Sequence, residues 1–448
     1  MPSARRPQGR QAPARRAWTV ALACAAALVV PSAALLPQAQ AATRSTVTPA
    51  ASHRPAPDRT RLTDALNAIH TAGMYGAYAA VRDGGSLWRG AAGVADRDTG
   101  RRVTPDMEQR IGSISKSMTA VALLQQVAAG RLELDAPLSR YLPGLVPGPR
   151  GDRITVRMVL NHTSGIGDYV LYAFPSLQTL STSSLDENRF RHFTPEQLVR
   201  MGVQAPPTGS PGEKWSYSNT NYIIAGLLLG KLTGEDPERY ITRHVIRRAG
   251  LRHTYFPTGP HITGPHPKLY ESFYGLIDPP RDYSVYDMSW AGTAGAVVST
   301  MADLDRFYRE LFTGRLIPAA QLAQMEKTVP MTDAEGKVVG HYGLALIRFD
   351  WGCGTFWGHD GAVFGAETWA ISSPDGRRQM ALAYNLSKYD KLGPDGKVPA
   401  GPIDDAINAF IGASLCSPAT GSPALRSAGV DHALPHTFEQ GVLSGAGR

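Results

Sequence analysis

Cysteine is scarce in this chain of 448 residues, and the short signatures of several common enzyme classes are missing. There are three cysteines, and neither a paired-cysteine spacing nor an H-E-x-x-H pattern indicates a zinc site. The chain also has no G-x-S-x-G elbow and no glycine-rich nucleotide-binding loop. The sequence therefore predicts neither a metal nor a cofactor.

A strong excess of one charge is missing as well. The formal net charge is +8, but five of the positive charges belong to arginines within the first 16 residues, which leaves about +3 for the rest. So small a balance predicts no nucleic-acid partner.

The N-terminal segment has the pattern of an export signal. The arginines precede an apolar stretch at residues 18–36, and Ala39-Gln40-Ala41 fits a cleavage site. We therefore predict a bacterial signal peptide at residues 1–41, and a secreted protein with no stable membrane span once the signal is removed. A single membrane anchor is the alternative, because the apolar stretch approaches the ~20 residues that cross a bilayer, although Pro31 interrupts it.

Removal of the signal would also remove Cys24. The two remaining cysteines, Cys353 and Cys416, would then form an even pair in an oxidising compartment. Such a pair predicts one disulfide, with two buried thiols as the alternative.

Strand and helix patterns predict one domain of mixed α/β structure, of the α+β type, at residues 59–416. Strand patterns occur near both ends of this range, and the segment at about 138–286 is mostly helical. We therefore expect one antiparallel sheet built from both chain ends and flanked by helices, with a mostly helical inserted subdomain. A flexible lead-in at 42–58 and a disordered tail at 417–448 are predicted outside it.

Two segments are each predicted to form one strand. Gln109–Gly112 is expected to be a third short strand after an N-terminal hairpin, and Tyr342–Phe349 a single strand. An apolar helix from Ser115 to Ala129 should follow the first of these.

Ser113-Ile114-Ser115-Lys116 lies at the start of that helix. A spacing of three places Ser113 and Lys116 on one helix face, where a hydroxyl and an amine can meet. A partly desolvated lysine has a lowered pKa and can accept the serine proton. The same pattern also occurs on ordinary solvated helices, so its meaning depends on the rest of the sequence.

Two further segments carry polar residues beside predicted turns or strands. Tyr217-Ser218-Asn219 lies on a loop before a helix, where a tyrosine can transfer a proton and Asn219 can hold a substrate amide. His359-Asp360-Gly361-Ala362 lies on a predicted strand, and its glycine allows close approach of a ligand or another backbone. Taken alone, the first segment is more typical of a capped helix entry, and the second of a structural or solvated histidine.

Taken together, the three segments resemble the penicillin-recognising serine hydrolases, specifically the secreted D-alanyl-D-alanine carboxypeptidases grouped with class C beta-lactamases. The similarity extends through Gln109–Gly112, Leu160–Gly165 and Gly292–Gly295, and covers essentially residues 60–416. It implies a beta-lactamase/transpeptidase-like fold and an acyl-enzyme mechanism. It also implies a small peptide or ester as substrate, with beta-lactams as covalent ligands.

The resemblance assigns a role to each polar residue. It implies that Ser113 is the nucleophile, that Lys116 and Tyr217 transfer protons, and that His359 stands where many lactamases have lysine. The implied contacts to substrate come from Asn219, from Trp290, and from an oxyanion hole made by the backbone N–H groups of Ser113 and Ala362, the latter next to Gly361.

Four residues are less closely defined by the resemblance. Trp290 fits a wall of the cleft or the core equally well. His162 is expected to be structural, in a turn that ends a helix. Cys353 and Cys416 fall where the carboxypeptidase branch has a disulfide.

One position departs from the carboxypeptidase pattern. Asp360 stands where those enzymes have threonine or serine, and an ionised aspartate would repel the terminal carboxylate of the substrate unless it points away or Arg348 compensates. A D-alanyl-D-alanine carboxypeptidase is the leading prediction. An esterase or D-amino-acid amidase, a class C-like beta-lactamase and a non-catalytic binding protein are the alternatives.

Overall fold

The computed structural model describes residues 58–333, 336–394 and 398–416. The predicted signal peptide, the lead-in up to residue 57 and the C-terminal tail lie outside the described residues. The α-helices are α1 (Arg59–Thr71), α2 (Ser115–Ala128), α3 (Pro149–Arg153), α4 (Val156–Leu160), α5 (Val170–Ala173), α6 (Ser183–Glu187), α7 (Pro195–Gln204), α8 (Asn219–Thr233), α9 (Pro237–Ile241), α10 (Gly292–Gly295), α11 (Met301–Phe312), α12 (Ala319–Met325) and α13 (Pro402–Leu415). The strands are β1 (Gly76–Asp83), β2 (Ser86–Asp96), β3 (Arg101–Arg102), β4 (Gln109–Arg110), β5 (Tyr270–Glu271), β6 (Arg281–Asp282), β7 (Val298–Ser299), β8 (Val329–Thr332), β9 (Val338–Tyr342), β10 (Ile347–Trp351), β11 (Gly354–Val363), β12 (Ala366–Ser372), β13 (Arg378–Tyr384) and β14 (Leu386–Ser387).

The main sheet has nine antiparallel strands in the order β3-β2-β1-β13-β12-β11-β10-β9-β8. Its N-terminal and C-terminal halves meet where β1 pairs with β13, so that Val81 lies opposite Met380. The predicted sheet built from both chain ends is therefore confirmed.

One strand prediction was confirmed in part and another was wrong. Gln109 and Arg110 form the expected short strand, β4, which pairs with β7 and ends before Gly112, where a 3-10 helix begins. Residues 343–346 separate β9 from β10 where a single strand was expected. At Gly343 the backbone passes so close to Met325 that a Cβ would lie 2.2 Å from its carbonyl oxygen, and Ala345 has a positive φ of 59°, so the chain cannot remain extended there.

Helices cover both faces of the sheet because side chains alternate along each strand. Val81 belongs to the buried cluster that includes Leu66 of α1 and Phe410 of α13. Ala80 belongs to the other cluster, which includes Met118 of α2 and Phe307 of α11. The helix α2 is therefore buried between the sheet and the rest of the chain, which fixes the position of its first turn.

The regular secondary structure at 138–286 is mostly helical, although loops make up more than half of the segment. It contains α3 to α9, two short 3-10 helices, a π-helical turn at Thr242–Ile246 and the two-residue strands β5 and β6. None of the described helices is both long and apolar enough to span a membrane.

A disulfide joins the turn before β11 to the end of α13. Cys353 and Cys416 are bonded, with their Cα atoms 5.6 Å apart. Cys353 precedes the first residue of β11, whereas His359-Asp360-Gly361-Ala362 lies in the second half of the strand.

Candidate active site

Ser113 occupies a tight turn between β4 and α2. A 3-10 helix at Gly112–Ile114 leads directly into the α-helix, and Gly112 has a positive φ of 51° that glycine adopts without strain. The Ser115 hydroxyl donates to the Gly112 carbonyl (2.7 Å) and accepts from Val297 N (3.2 Å), so the turn is also tied to the segment before β7. Ser113 itself is 3% exposed.

Lys116 is fully buried and its amine contacts three acceptors. Nζ lies 2.9 Å from Ser113 Oγ, 2.8 Å from Asn219 Oδ1 and 2.7 Å from the Ala294 carbonyl oxygen. Burial lowers the pKa of Lys116 to about 7, although the negative charges of Asp168 and Asp360 oppose the shift. At neutral pH a large fraction of the amine is therefore uncharged and able to accept a proton.

Tyr217 approaches Ser113 from the other side. Its hydroxyl donates to Ser113 Oγ at 2.7 Å, so the serine oxygen is held between a phenol and an amine. The tyrosine ring lies 4.3 Å from the ring of His162 and 4.9 Å from Lys116 Nζ. The serine, the lysine and the tyrosine thus form one hydrogen-bonded group.

His162 packs beneath Tyr217 as a neutral ring. Burial lowers its pKa well below the ordinary histidine value, helped by the charges of Lys116 and His359. Its Nδ1 accepts from Ser218 N and from Asn221 Nδ2, each at 3.2 Å. It follows the end of α4 with a positive φ of 61°, which is the helix-ending turn that the sequence indicated.

Asn219 begins α8 and has both ends of its carboxamide engaged. Oδ1 accepts from Lys116, and Nδ2 donates to Asp168 Oδ2 at 2.8 Å. Asp168 also accepts from Asn219 N (3.0 Å), and burial raises the pKa of its carboxyl. Sequence reasoning missed Asp168, although its position three residues after the Leu160–Gly165 motif was a signal.

His359 and Asp360 lie side by side on β11. His359 Nε2 contacts the Tyr342 hydroxyl at 2.9 Å, while Nδ1 lies 2.5 Å from the Asp360 carbonyl oxygen and 3.3 Å from its carboxylate. Both residues are buried. The suggestion that Arg348 compensates for Asp360 was wrong, because the Arg348 guanidinium pairs with Asp350 at 2.7 Å.

The backbones of the Ser113 turn and β11 are nearly in contact. A Cβ on Gly112 would lie 2.7 Å from Ala362 N, and a Cβ on Gly361 would lie 3.0 Å from Ser113 N and 2.0 Å from the Ile111 carbonyl oxygen. Only glycine fits at either position. The two N–H groups expected to form the oxyanion hole therefore belong to segments that the fold brings together.

Trp290 lies in an aromatic cluster. It is 3% exposed, and its ring centroid is 5.2 Å from that of Phe364 and 5.5 Å from that of Phe174. Of its two expected roles, this packing favours the core over the cleft wall. Among the residues that the structure describes, no group of three or more His, Cys, Asp or Glu side chains could hold a metal ion.

Comparisons with known proteins agree with this geometry. The sequence model of the family described as Beta-lactamase matches residues 59–397. Penicillin-binding protein 4 of Amycolatopsis lactamdurans is 31% identical over 72% of this chain and 83% of its own length. The solved structure of a D-stereospecific amidohydrolase from Streptomyces sp. is 34% identical, with a TM-score of 0.70 over 80% of this chain and 99% of that one.

Esterase EstB of Burkholderia gladioli is 33% identical over a shorter region. The match covers 40% of this chain and 46% of the esterase, so the chain spans about half the length of that relative. The relatives are thus named as an esterase, an amidohydrolase and a penicillin-binding protein.

Proposed function

The chain belongs to the beta-lactamase family of serine hydrolases, and on that premise we propose that it hydrolyses amide or ester bonds through an acyl-enzyme on Ser113. The observation that carries the proposal is the position of Ser113 Oγ, 2.9 Å from Lys116 Nζ and 2.7 Å from the Tyr217 hydroxyl. These distances are within the range for direct proton transfer.

In the first half-reaction, Ser113 Oγ attacks the substrate carbonyl carbon while its proton passes to neutral Lys116. The carbonyl oxygen becomes negative and is stabilised by the N–H groups of Ser113 and Ala362. When the tetrahedral intermediate collapses, the bond to the leaving nitrogen or oxygen breaks. The leaving group takes a proton through Tyr217, and Lys116 supplies the proton that Tyr217 gave up.

In the second half-reaction, water attacks the serine ester. The proton of the water moves to the same amine, the bond between the acyl carbon and Ser113 Oγ breaks, and the serine recovers its proton. The acid is released and the enzyme returns to its starting state.

We propose a substrate whose acyl group carries a D-configured residue and whose leaving group has no free carboxylate. The Streptomyces amidohydrolase, which is D-stereospecific by name, supports the first part. The second part is supported by Asp360, whose negative charge acts on Lys116, and by Arg348, whose guanidinium is paired with Asp350. A substrate carboxylate bound beside the lysine would therefore meet a negative charge.

A D-alanyl-D-alanine carboxypeptidase that binds beta-lactams is the second candidate. The likeness to penicillin-binding protein 4 over most of its length supports it. The export pattern of residues 1–41 supports a secreted protein in either case.

One pair of substrates separates the two candidates. We expect a diacyl-D-Ala-D-Ala peptide with a C-terminal carboxamide to be cleaved with a kcat/KM at least about 10-fold above that of the same peptide with a free carboxylate. The Asp360→Asn variant keeps the shape of the side chain without its charge, and should reduce this ratio. The corresponding L,L peptides are the control for stereospecificity. Faster cleavage of the free carboxylate by the unmodified enzyme would favour the carboxypeptidase.

The reaction should depend on pH through Lys116. Because the protonated amine cannot accept a proton, kcat/KM should fall about tenfold for each pH unit below the lysine pKa of about 7 and level off above it. Ester hydrolysis measured between about pH 5 and pH 9 at constant ionic strength would show this midpoint. A flat profile over that range would rule out Lys116 as the base.

A further inference from the structure

Gln109 lies four residues before Ser113, and its carboxamide is fully buried. It has no role in the reaction proposed above. Its Nε2 donates to the Glu367 carbonyl (2.9 Å) and the Tyr384 carbonyl (3.0 Å), and its Oε1 accepts from the Tyr78 hydroxyl (2.6 Å). We propose that Gln109 is a positioning residue for the oxyanion hole, which sets the separation between Ser113 N and Ala362 N. This inference rests on the proposed function and concerns the same site.

The strand register shows why these contacts bear on the hole. Ala362 on β11 lies directly opposite Glu367 on β12, and Glu367 in turn lies opposite Tyr384 on β13. Gln109 therefore binds two neighbouring strands of the main sheet, at the level of Ala362. Since β4 itself pairs only with β7, this side chain is a direct connection from the nucleophile segment to the main sheet.

The other side of the β11–β12 hairpin is held by buried charges. The Glu367 carboxylate accepts from Ser387 Oγ and Lys388 N, each at 2.9 Å. The Lys388 amine binds Glu271 Oε2 (2.9 Å), which also accepts from Gly365 N in the hairpin turn (3.1 Å), and both ionic side chains are fully buried. The hairpin is thus anchored independently of Gln109, and a loss of Gln109 should shift the nucleophile segment relative to it.

The two segments are in such tight contact that even a small shift would displace the donors of the oxyanion hole. The glycine backbones at Gly112 and Gly361 leave no room even for a Cβ, so the Ser113 turn and β11 have one close-packed arrangement. An oxyanion hole stabilises the transition state only when both donors lie about 3 Å from the developing charge. A displacement of about 1 Å can reduce turnover by about 100-fold.

The chain contains a matched control for Gln109. Gln126 on α2 is also fully buried and also makes three hydrogen bonds: Nε2 donates to the Tyr240 hydroxyl (2.7 Å) and the Ala122 carbonyl (3.4 Å), and Oε1 accepts from Arg131 Nε (2.9 Å). None of these partners belongs to the β11–β12 hairpin. Gln109→Leu and Gln126→Leu therefore remove similar interactions, and only the first disturbs the hole.

The two variants should be compared by steady-state ester hydrolysis, by thermal unfolding and by binding of phenylboronic acid, which forms a tetrahedral adduct on a reactive serine. For Gln109→Leu we expect kcat to fall about 10- to 100-fold with little change in KM, and boronate affinity to fall by a similar factor. The pH midpoint should stay near that of the unmodified enzyme, because the surroundings of Lys116 are unchanged. Gln126→Leu should lose thermal stability but keep kcat and boronate affinity within about twofold.

Tyr78→Phe is a milder second variant in case Gln109→Leu does not fold. It removes only the hydroxyl that binds Gln109 Oε1, and we expect it to lower kcat about threefold without changing KM. The positioning role would be overturned if kcat and boronate affinity were unchanged in the variants at Gln109 and Tyr78, or if Gln126→Leu lost kcat to the same extent. Either result would leave the proposed function in place. An unmodified enzyme that neither hydrolyses esters nor binds the boronate at Ser113 would overturn the proposed function, and the positioning role with it.

Discussion

Replacing Ser113 by alanine is expected to reduce kcat/KM for esters and amides by about 10⁴-fold or more, because no other group in this position can form the acyl bond. Ser113 Oγ is the atom on which the Lys116 amine and the Tyr217 hydroxyl converge. The loss should therefore appear in kcat for every substrate class, while the unfolding temperature changes little. Hydrolysis of a p-nitrophenyl ester, with thermal unfolding measured in parallel, checks both expectations.

Ser117→Ala is the appropriate control for this variant. Ser117 is a buried serine on α2, four residues after Ser113, and its hydroxyl contacts Ala345 O (2.7 Å) and the Tyr308 hydroxyl (3.1 Å). It should keep nearly full activity. Substantial turnover by Ser113→Ala, or an equal loss in Ser117→Ala, would contradict the assignment of the nucleophile.

Replacing Lys116 by methionine should lower kcat by about 10³-fold, within the range for loss of a general base. Methionine retains the length and apolar packing of the side chain but cannot accept the proton of Ser113. The residual activity should also lose its dependence on pH near 7, since the titrating group is gone. Steady-state kinetics at several pH values provide both readouts.

Lys116→Arg tests whether Lys116 acts through its positive charge or as a base. An arginine restores a positive charge but remains protonated at all relevant pH values, so it should not rescue turnover. Recovery of activity in Lys116→Arg would mean that Lys116 acts through its charge and not as a base. A kcat for Lys116→Met within about tenfold of the unmodified enzyme would exclude either role for the amine.

The sequence predicted the architecture where the pattern was local and repeated. The strands β11, β12 and β13 and the buried helix α2 follow from runs of apolar residues, and strands near both chain ends implied a shared sheet. The break between β9 and β10 depends on how closely Gly343 approaches Met325, a contact between distant residues. Local sequence patterns do not reveal contacts between residues that are far apart in the chain. The pairing of β4 with β7 is another such contact.

The central residues of the site could be named from motif order, and the contact between Ser113 and Lys116 from their spacing, but most of their partners could not. Ser113, Lys116 and Tyr217 carry recognisable patterns, and the structure brings them within hydrogen-bonding distance. The partners that orient them are marked only by their neighbourhood: Asp168 follows the Leu160–Gly165 motif by three residues, and the contacts of Gln109 appear only once β12 and β13 are placed beside it. Burial, which lowers the pKa of Lys116, is likewise a property of the assembled fold.

The most direct test of the account is to trap the acyl-enzyme. The protein would be mixed with a p-nitrophenyl ester, quenched in acid during turnover, digested and analysed by mass spectrometry. We predict one acyl group on the peptide that contains Ser113, and none on the same peptide of Ser113→Ala. Continued turnover without any adduct, or an adduct on a different residue, would contradict a mechanism through Ser113.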